Sequence, residues 1–218
     1  MTPAACLLFD LDGTLLDTAP DMIAALNRVL ADENRDPLPP ERLRDHVSHG
    51  SAALVRLAFG EHQPEAAFED RKARFLRYYR ENLCIQTRLF PGMADVLDHA
   101  ERAGVAWGVV TNKPGWLTDP LMVETGLMER AACVISGDTT EERKPHPLPM
   151  LTAAEQAGVA PEQCLYVGDA ERDIEAGKAA GMQTLIAAWG YIDADQQPHN
   201  WGADRTIAHP GELLSFLP

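Results

Sequence analysis

Short apolar runs at residues 6–10, 106–111, 133–135, 165–167 and 184–187 read as strands, and the later ones are separated by helix-like segments. That alternation predicts an α/β fold, a parallel sheet with helices on both faces. The stretch between the first two runs is different. From residue 17 to 86 the pattern is helical throughout, opening with Met22, Ile23, Leu26, Val29 and Leu30 at amphipathic spacing. Further helical stretches are expected at 41–46, 51–59 and 64–83, the last with Phe68, Phe75, Leu76, Tyr79 and Leu83 along one side. Seventy residues are too many for one crossover helix. They predict an all-α insertion, residues 17–86, standing as a lid over a core made of 1–16 and 87–218. Gly104, Gly126, Gly158 and Gly181 each follow a helical pattern and are expected as left-handed caps.

The ends of the strand-like runs carry the candidate chemistry. Phe9-Asp10-Leu11-Asp12-Gly13-Thr14 sets two carboxylates two residues apart on a Gly-containing turn. Side chains at i and i+2 of an ending strand project together, and open parallel sheets bind ligands at that end. One carboxylate can attack a phosphoryl group while its neighbour handles the proton of the leaving oxygen. A calcium loop would need its Gly at the sixth position and an acid at the twelfth, whereas here the Gly is fourth. An ordinary Asp-Gly turn is the plainer reading.

Three more clusters follow. Thr111-Asn112-Lys113-Pro114 ends the second run with a hydroxyl and an amide that suit phosphate oxygens, or simply a helix N-cap. Arg143-Lys144-Pro145-His146-Pro147 places a compact ammonium before a turn, where a surface Lys is the alternative. Gly168-Asp169-Ala170-Glu171-Arg172-Asp173 again ends a strand in a Gly turn with acids. Asp173 could merely satisfy a helix dipole, and Glu171 and Arg172 are expected in solvent. If the first and fourth of these strands are neighbours, Asp10, Asp12 and Asp169 converge. Unit charges about 4 Å apart repel by roughly 4 kcal/mol at an effective dielectric of about 20. Such a site requires a cation or shifted pKa values, and oxygen-only ligands beside a phosphate favour magnesium.

Composition narrows the partners. The 218 residues, 45% hydrophobic, suffice for a full core, and 19 Lys and Arg against 33 Asp and Glu give a net charge of -14. This argues against nucleic acid or an anionic membrane as partner. Cys6, Cys84, Cys133 and Cys164 are widely spaced, without zinc-ligand or Cys-x-x-Cys pairing, and read as thiols of a reducing compartment. The N-terminus lacks a basic region followed by an apolar stretch, and the cytoplasm is the expected location.

The four clusters, in this order, resemble those of the haloacid dehalogenase superfamily of phosphatases, in the phosphoglycolate phosphatase-like branch with a helical cap inserted after the first strand. The resemblance implies a Rossmann-like core and a Mg2+-dependent phosphatase acting on a small phosphate monoester, as a monomer or homodimer. It implies Asp10 as the nucleophile, forming an aspartyl-phosphate, and Asp12 as general acid and then base. Thr111, Asn112 and Lys144 would bind the phosphoryl oxygens. Magnesium would be held by the Asp10 carboxylate, the Asp12 backbone carbonyl and Asp169, with Asp173 acting directly or through water. Dehalogenases of the superfamily lack the second acid of the first motif, so Asp12 favours phosphoryl chemistry. His146 and Ala170 depart from residues frequent in relatives without touching a chemical step.

Residues 107–114 and the tail with Gly190, Tyr191, Pro198, Trp201 and His209 look most like the N-acetylmuramic acid 6-phosphate phosphatases of bacterial cell-wall recycling. Specificity is expected in the insertion, at His49, Gly50 and Ser51, unless these are a plain helix start. The alternatives are a 2-phosphoglycolate phosphatase, a hexose-phosphate mutase on the same scaffold, and a catalytically silent binding protein.

Overall fold

The computed structural model describes residues 3–218. In chain order its strands are β1 (Cys6–Phe9), β2 (Leu16–Asp17), β3 (Arg88–Leu89), β4 (Ala106–Val110), β5 (Cys133–Ile135), β6 (Cys164–Gly168), β7 (Gln183–Ala187) and β8 (Arg205–Ile207). Its α-helices are α1 (Ala19–Asp32), α2 (Gly50–Phe59), α3 (Glu65–Glu81), α4 (Met93–Arg102), α5 (Gly115–Glu124), α6 (Leu148–Ala157) and α7 (Glu171–Ala179). Six strands form one parallel sheet in the order β5-β4-β1-β6-β7-β8.

Alternate residues of each strand enter different cores. Leu7 and Phe9 of β1, with Trp107, Val109, Leu165, Val167 and Leu185, pack with Val96 and Leu97 of α4 and Leu121 of α5. Cys6 and Leu8, with Val110, Ile135 and Tyr166, pack with Met150 and Ala153 of α6 and Ala176 of α7. Burial on both faces is why these strands read as continuous apolar runs. All five expected strands are present. The three that the pattern missed are two-residue β2 and β3, too short to show a period, and β8, an edge strand whose Arg205 and Thr206 are exposed.

The helical stretch that the pattern reads as an insertion runs from β2 to β3. These two strands pair antiparallel, Leu16 opposite Leu89 and Asp17 opposite Arg88, so the chain leaves and re-enters the core at one point. Met22, Ile23, Leu26, Val29 and Leu30 of α1 are buried, as are Phe68, Phe75, Tyr79 and Leu83, while Leu76 is half-buried. Where one helix was expected at 41–46 there are two 3₁₀ turns, Pro40–Arg42 and Arg44–His49. The four glycines expected at helix ends all have positive φ. Cys6, Cys133 and Cys164 are buried and Cys84 half-buried, all as free thiols. Among the described residues no helix is long and apolar enough to cross a membrane.

One carboxylate fastens the insertion's return. Asp21 of α1 is 2% exposed. It accepts hydrogen bonds from the Gln86 backbone N–H at 2.9 Å, the Thr87 N–H at 2.8 Å and the Thr87 hydroxyl at 2.8 Å. Asp21→Ala leaves these donors without partners, and about 2–4 kcal/mol of stability is expected to go with it. Urea denaturation measures this directly; a loss under about 1 kcal/mol would show that water or the neighbouring backbone replaces the carboxylate.

Candidate active site

Strand register brings the sequence clusters together. Phe9 of β1 lies level with Val109 of β4 on one side and Val167 of β6 on the other. Asp10, Thr111 and Asp169 therefore emerge side by side at the sheet's carboxyl edge, and Asp173 joins them from the first turn of α7. Asp10, Asp169 and Asp173 are buried, and each presents a carboxylate oxygen within 4.8 Å of the others.

Each carboxylate is held differently. Oδ1 of Asp10 accepts the Leu11 N–H at 2.7 Å and lies 3.0 Å from the Lys144 ammonium, while Oδ2 has no hydrogen-bond partner among the described residues. Asp173 pairs with Lys144 at 2.7 Å through Oδ1 and accepts the Ala170 N–H through Oδ2. Lys144, wholly buried, also donates to the Val110 carbonyl at 2.7 Å and to the Tyr166 hydroxyl at 2.8 Å. Two of the three acids thus share one ammonium. Asp169 has no cation and is held by neutral donors: the Ser48 hydroxyl at 2.8 Å, the Tyr191 N–H at 2.8 Å and the Thr14 hydroxyl at 3.3 Å. Burial, together with the Asp10 and Asp173 charges, pushes the Asp169 carboxyl up to about 7. Gly13, at φ +86°, and Gly190 crowd this carboxylate so closely that a Cβ on either would collide with it. A compact, all-oxygen group of acids with an unmatched charge is a donor set for a hard divalent cation.

Asp12 turns toward the insertion. Its carboxylate accepts the Thr18 hydroxyl at 2.6 Å and pairs with Lys113 at 2.9 Å, and Lys113 also donates to the Tyr79 hydroxyl of α3 at 3.0 Å. Burial disfavours the Lys113 ammonium, but Asp12 and Tyr79 more than compensate and raise its pKa above the ordinary value. Burial pushes the Tyr79 hydroxyl up to about 12.

A cavity of about 610 Å³ opens over these groups. Asp10, Asp12, Thr111, Asn112 and Lys144 line it, as do His49, Gly50 and Ser51 from the insertion. Asn112 donates to the Lys144 carbonyl at 2.9 Å, leaving its buried Oδ1 without a partner. Arg172, expected in solvent, is half-buried instead, lines the cavity and donates to the Ser48 carbonyl at 2.8 Å. Its position at the second residue of α7 turns it back toward the insertion rather than outward. Lys113 and Ser48 were not singled out by sequence, although Lys113 directly follows Asn112 in one of the clusters and Ser48 directly precedes His49. Their partners lie 101 and 121 residues away, where no local pattern reaches.

Known proteins are similar to this chain over most of its length. The family described as Haloacid dehalogenase-like hydrolase matches residues 7–187. A phosphoglycolate phosphatase of Xanthomonas campestris is 47% identical over 207 residues, covering 95% of this chain and 93% of that protein. An N-acetylmuramic acid 6-phosphate phosphatase of Pseudomonas aeruginosa is 41% identical over 211 residues, 97% of this chain and 93% of that protein. The crystal structure of a predicted phosphoglycolate phosphatase from Haemophilus somnus superposes with a TM-score of 0.86 at 29% identity, covering 99% of this chain and 98% of that one.

The raised Asp169 value fixes a pH dependence. Below about 7 the cation-free site holds a proton that an ordinary carboxyl, at 3.8, has already released. Between these values the folded chain binds more protons than the unfolded one, so Asp169's contribution to stability falls as pH rises from about 4 to about 7. A divalent cation must displace the proton, so its affinity rises with pH up to about 7 and levels off above. Calorimetric titration with Mg2+ in buffers of different protonation enthalpy should find a released proton at pH 6 and almost none at pH 8; equal release at both would contradict the assignment.

Proposed function

The chain belongs to the haloacid dehalogenase-like hydrolases, and we propose that, as a phosphoric monoester hydrolase of that family, it cleaves N-acetylmuramic acid 6-phosphate with Mg2+ and an aspartyl-phosphate on Asp10. The observation that carries the chemistry is the state of Asp10. One oxygen is fixed by Leu11 and Lys144, while the other is unbonded at the cavity wall.

Oδ2 of Asp10 attacks phosphorus, the bond to the ester oxygen breaks, and Asp12 gives that oxygen its proton. Asp12, now a carboxylate, takes a proton from the water that attacks the aspartyl-phosphate, which releases inorganic phosphate, frees the Asp10 carboxylate and leaves Asp12 protonated for the next cycle. Lys113 and Thr18 hold Asp12 at the wall throughout. Thr111 and Asn112 line the cavity, and the Thr111 hydroxyl and the second N–H of Asn112 Nδ2, the first being held by the Lys144 carbonyl, would donate to the phosphoryl oxygens. Asp10 and Asp169 would hold Mg2+. Asp173 fits a supporting place, because both of its oxygens are already engaged. When bound, Mg2+ offsets negative charge on the carboxylates and the transferring phosphoryl group. Residues 17–86 act as the lid, excluding water while the cavity is closed.

For the substrate, the size and lining of the cavity support the amino-sugar phosphate. At about 610 Å³ it lies within the ~300–1,000 Å³ typical of sites for drug-sized ligands. Phosphoglycolate would leave most of it to water. Met22, Val47, Leu76 and Leu117 offer apolar surface to a sugar ring and its N-acetyl group, and Arg143 and Arg172 offer cations to a carboxylate. The Pseudomonas relative carries this activity in its name. Phosphoglycolate remains the second reading because the more similar Xanthomonas protein is named for it.

Asp10→Asn is expected to abolish phosphate release, about 10⁴-fold or more below wild type, with an unchanged melting curve; retention of most activity would remove Asp10 as the nucleophile. Initial rates with N-acetylmuramic acid 6-phosphate and phosphoglycolate, at equal concentration with Mg2+, test the substrate separately. The amino-sugar phosphate should have the higher kcat/KM, and a wide margin for phosphoglycolate would reject this assignment while leaving the chemistry intact.

A further inference from the structure

A second cluster of potential ligands lies outside the aspartate group. The 3₁₀ turn Arg44–His49 makes about three residues per turn, so His46 and His49 at i and i+3 fall on one side of it. Opposite stands Asp193, from the segment that follows β7. Its Oδ2 is 2.7 Å from Nε2 of His49 and 3.8 Å from Nδ1 of His46. The two imidazoles are 5.9 Å apart between ring centroids, and one donor atom of each residue lies within 4.8 Å of the others.

A lone His-Asp hydrogen bond explains His49 but not His46. The second imidazole faces the same carboxylate oxygen from 3.8 Å, too far to hydrogen-bond and close enough to share an ion with it. Donors about 2.0–2.1 Å from a tetrahedral ion lie roughly 3.3–3.4 Å apart. The observed 2.7 and 3.8 Å bracket that separation. Asp193 is also oriented to act as a ligand, because its Oδ1 accepts the Asp195 N–H at 3.0 Å and leaves Oδ2 turned toward the imidazoles. The side chains are partly exposed, at 38% for His46, 34% for His49 and 14% for Asp193, so an ion can enter from solvent.

We propose that His46, His49 and Asp193 form a zinc site, separate from the aspartate cluster, that ties the insertion to the core. Two imidazole nitrogens and one carboxylate select a borderline ion over magnesium, which prefers oxygen, and three protein ligands leave one position for water. The consequence is mechanical. Ser48 stands between the two histidines in this turn and donates to Asp169, so an ion on His46, His49 and Asp193 pins the turn against the acidic cluster.

Zinc titration of the full chain with Mg2+ saturating, followed by calorimetry, tests this without reference to turnover. Wild type should bind one equivalent of zinc. His46→Ala and Asp193→Asn, made separately, should each weaken it about tenfold or more. Asp10→Asn, which alters the other cluster without touching Ser48, should leave it unchanged. Cobalt substituted for zinc should give the intense visible absorption of a four-coordinate site in wild type and lose it in Asp193→Asn. Absence of stoichiometric zinc binding, binding indifferent to both His46 and Asp193, or binding that disappears in Asp10→Asn would each overturn the proposal.

Discussion

Mutual repulsion among buried carboxylates organises this molecule. At separations near 4 Å each ionised pair costs roughly 4 kcal/mol at an effective dielectric of about 20, and the sheet edge gathers Asp10, Asp169 and Asp173 within 4.8 Å of one another. Lys144 relieves two of them, and this is why an ammonium can be wholly buried there. Asp169 is left with hydroxyl and amide donors, which stabilise a carboxylate without cancelling its charge. Glycines at 13 and 190 let the backbone come close enough to enclose it. A fold selected for stability alone would have no use for this third acid. Its position makes sense as a place kept for a cation.

Much of this was legible in the chain because the relevant signals are local. β1, β4, β5, β6 and β7 are buried on both faces, so each appears as an apolar run, and the acids, hydroxyl and amide sit directly at their ends. Lys144 was visible instead from the Pro-rich turn that leads into α6. What stayed hidden depends on contacts across the insertion. Lys113 reads like any Lys until Asp12 and Tyr79 are seen beside it. Arg172 reads as a solvated helix residue until the 3₁₀ turn above it supplies the Ser48 carbonyl. His46 had no signal at all, because its carboxylate partner belongs to a segment nearly 150 residues later in the chain.

Those hidden contacts share a direction. Ser48 reaches Asp169, Arg172 reaches Ser48, and Lys113 spans from Asp12 to Tyr79, so each links the inserted helices to a group that bears charge in the site. Residues 17–86 thus supply a donor to Asp169, from Ser48, and a partner to Lys113, from Tyr79. These contacts strengthen the field in the cavity, because hydrogen bonds in a poorly screened interior polarise one another.

Opposite charges balance around the cavity. Asp10, Asp12, Asp169 and Asp173 bring four formal negative charges; Lys113, Arg143, Lys144 and Arg172, around the same cavity, bring four positive ones. With every group ionised, the site is neutral within a chain whose net charge is -14. A phosphate monoester dianion entering alone would leave the cavity at two negative charges in a poorly screened space. A divalent cation on the aspartates restores neutrality in its presence. Asp169, the carboxyl with no ammonium beside it, is pushed up to about 7 by burial and by the Asp10 and Asp173 charges even before a dianion enters. Proton and cation therefore compete for the same oxygens, and binding of the dianion favours the cation.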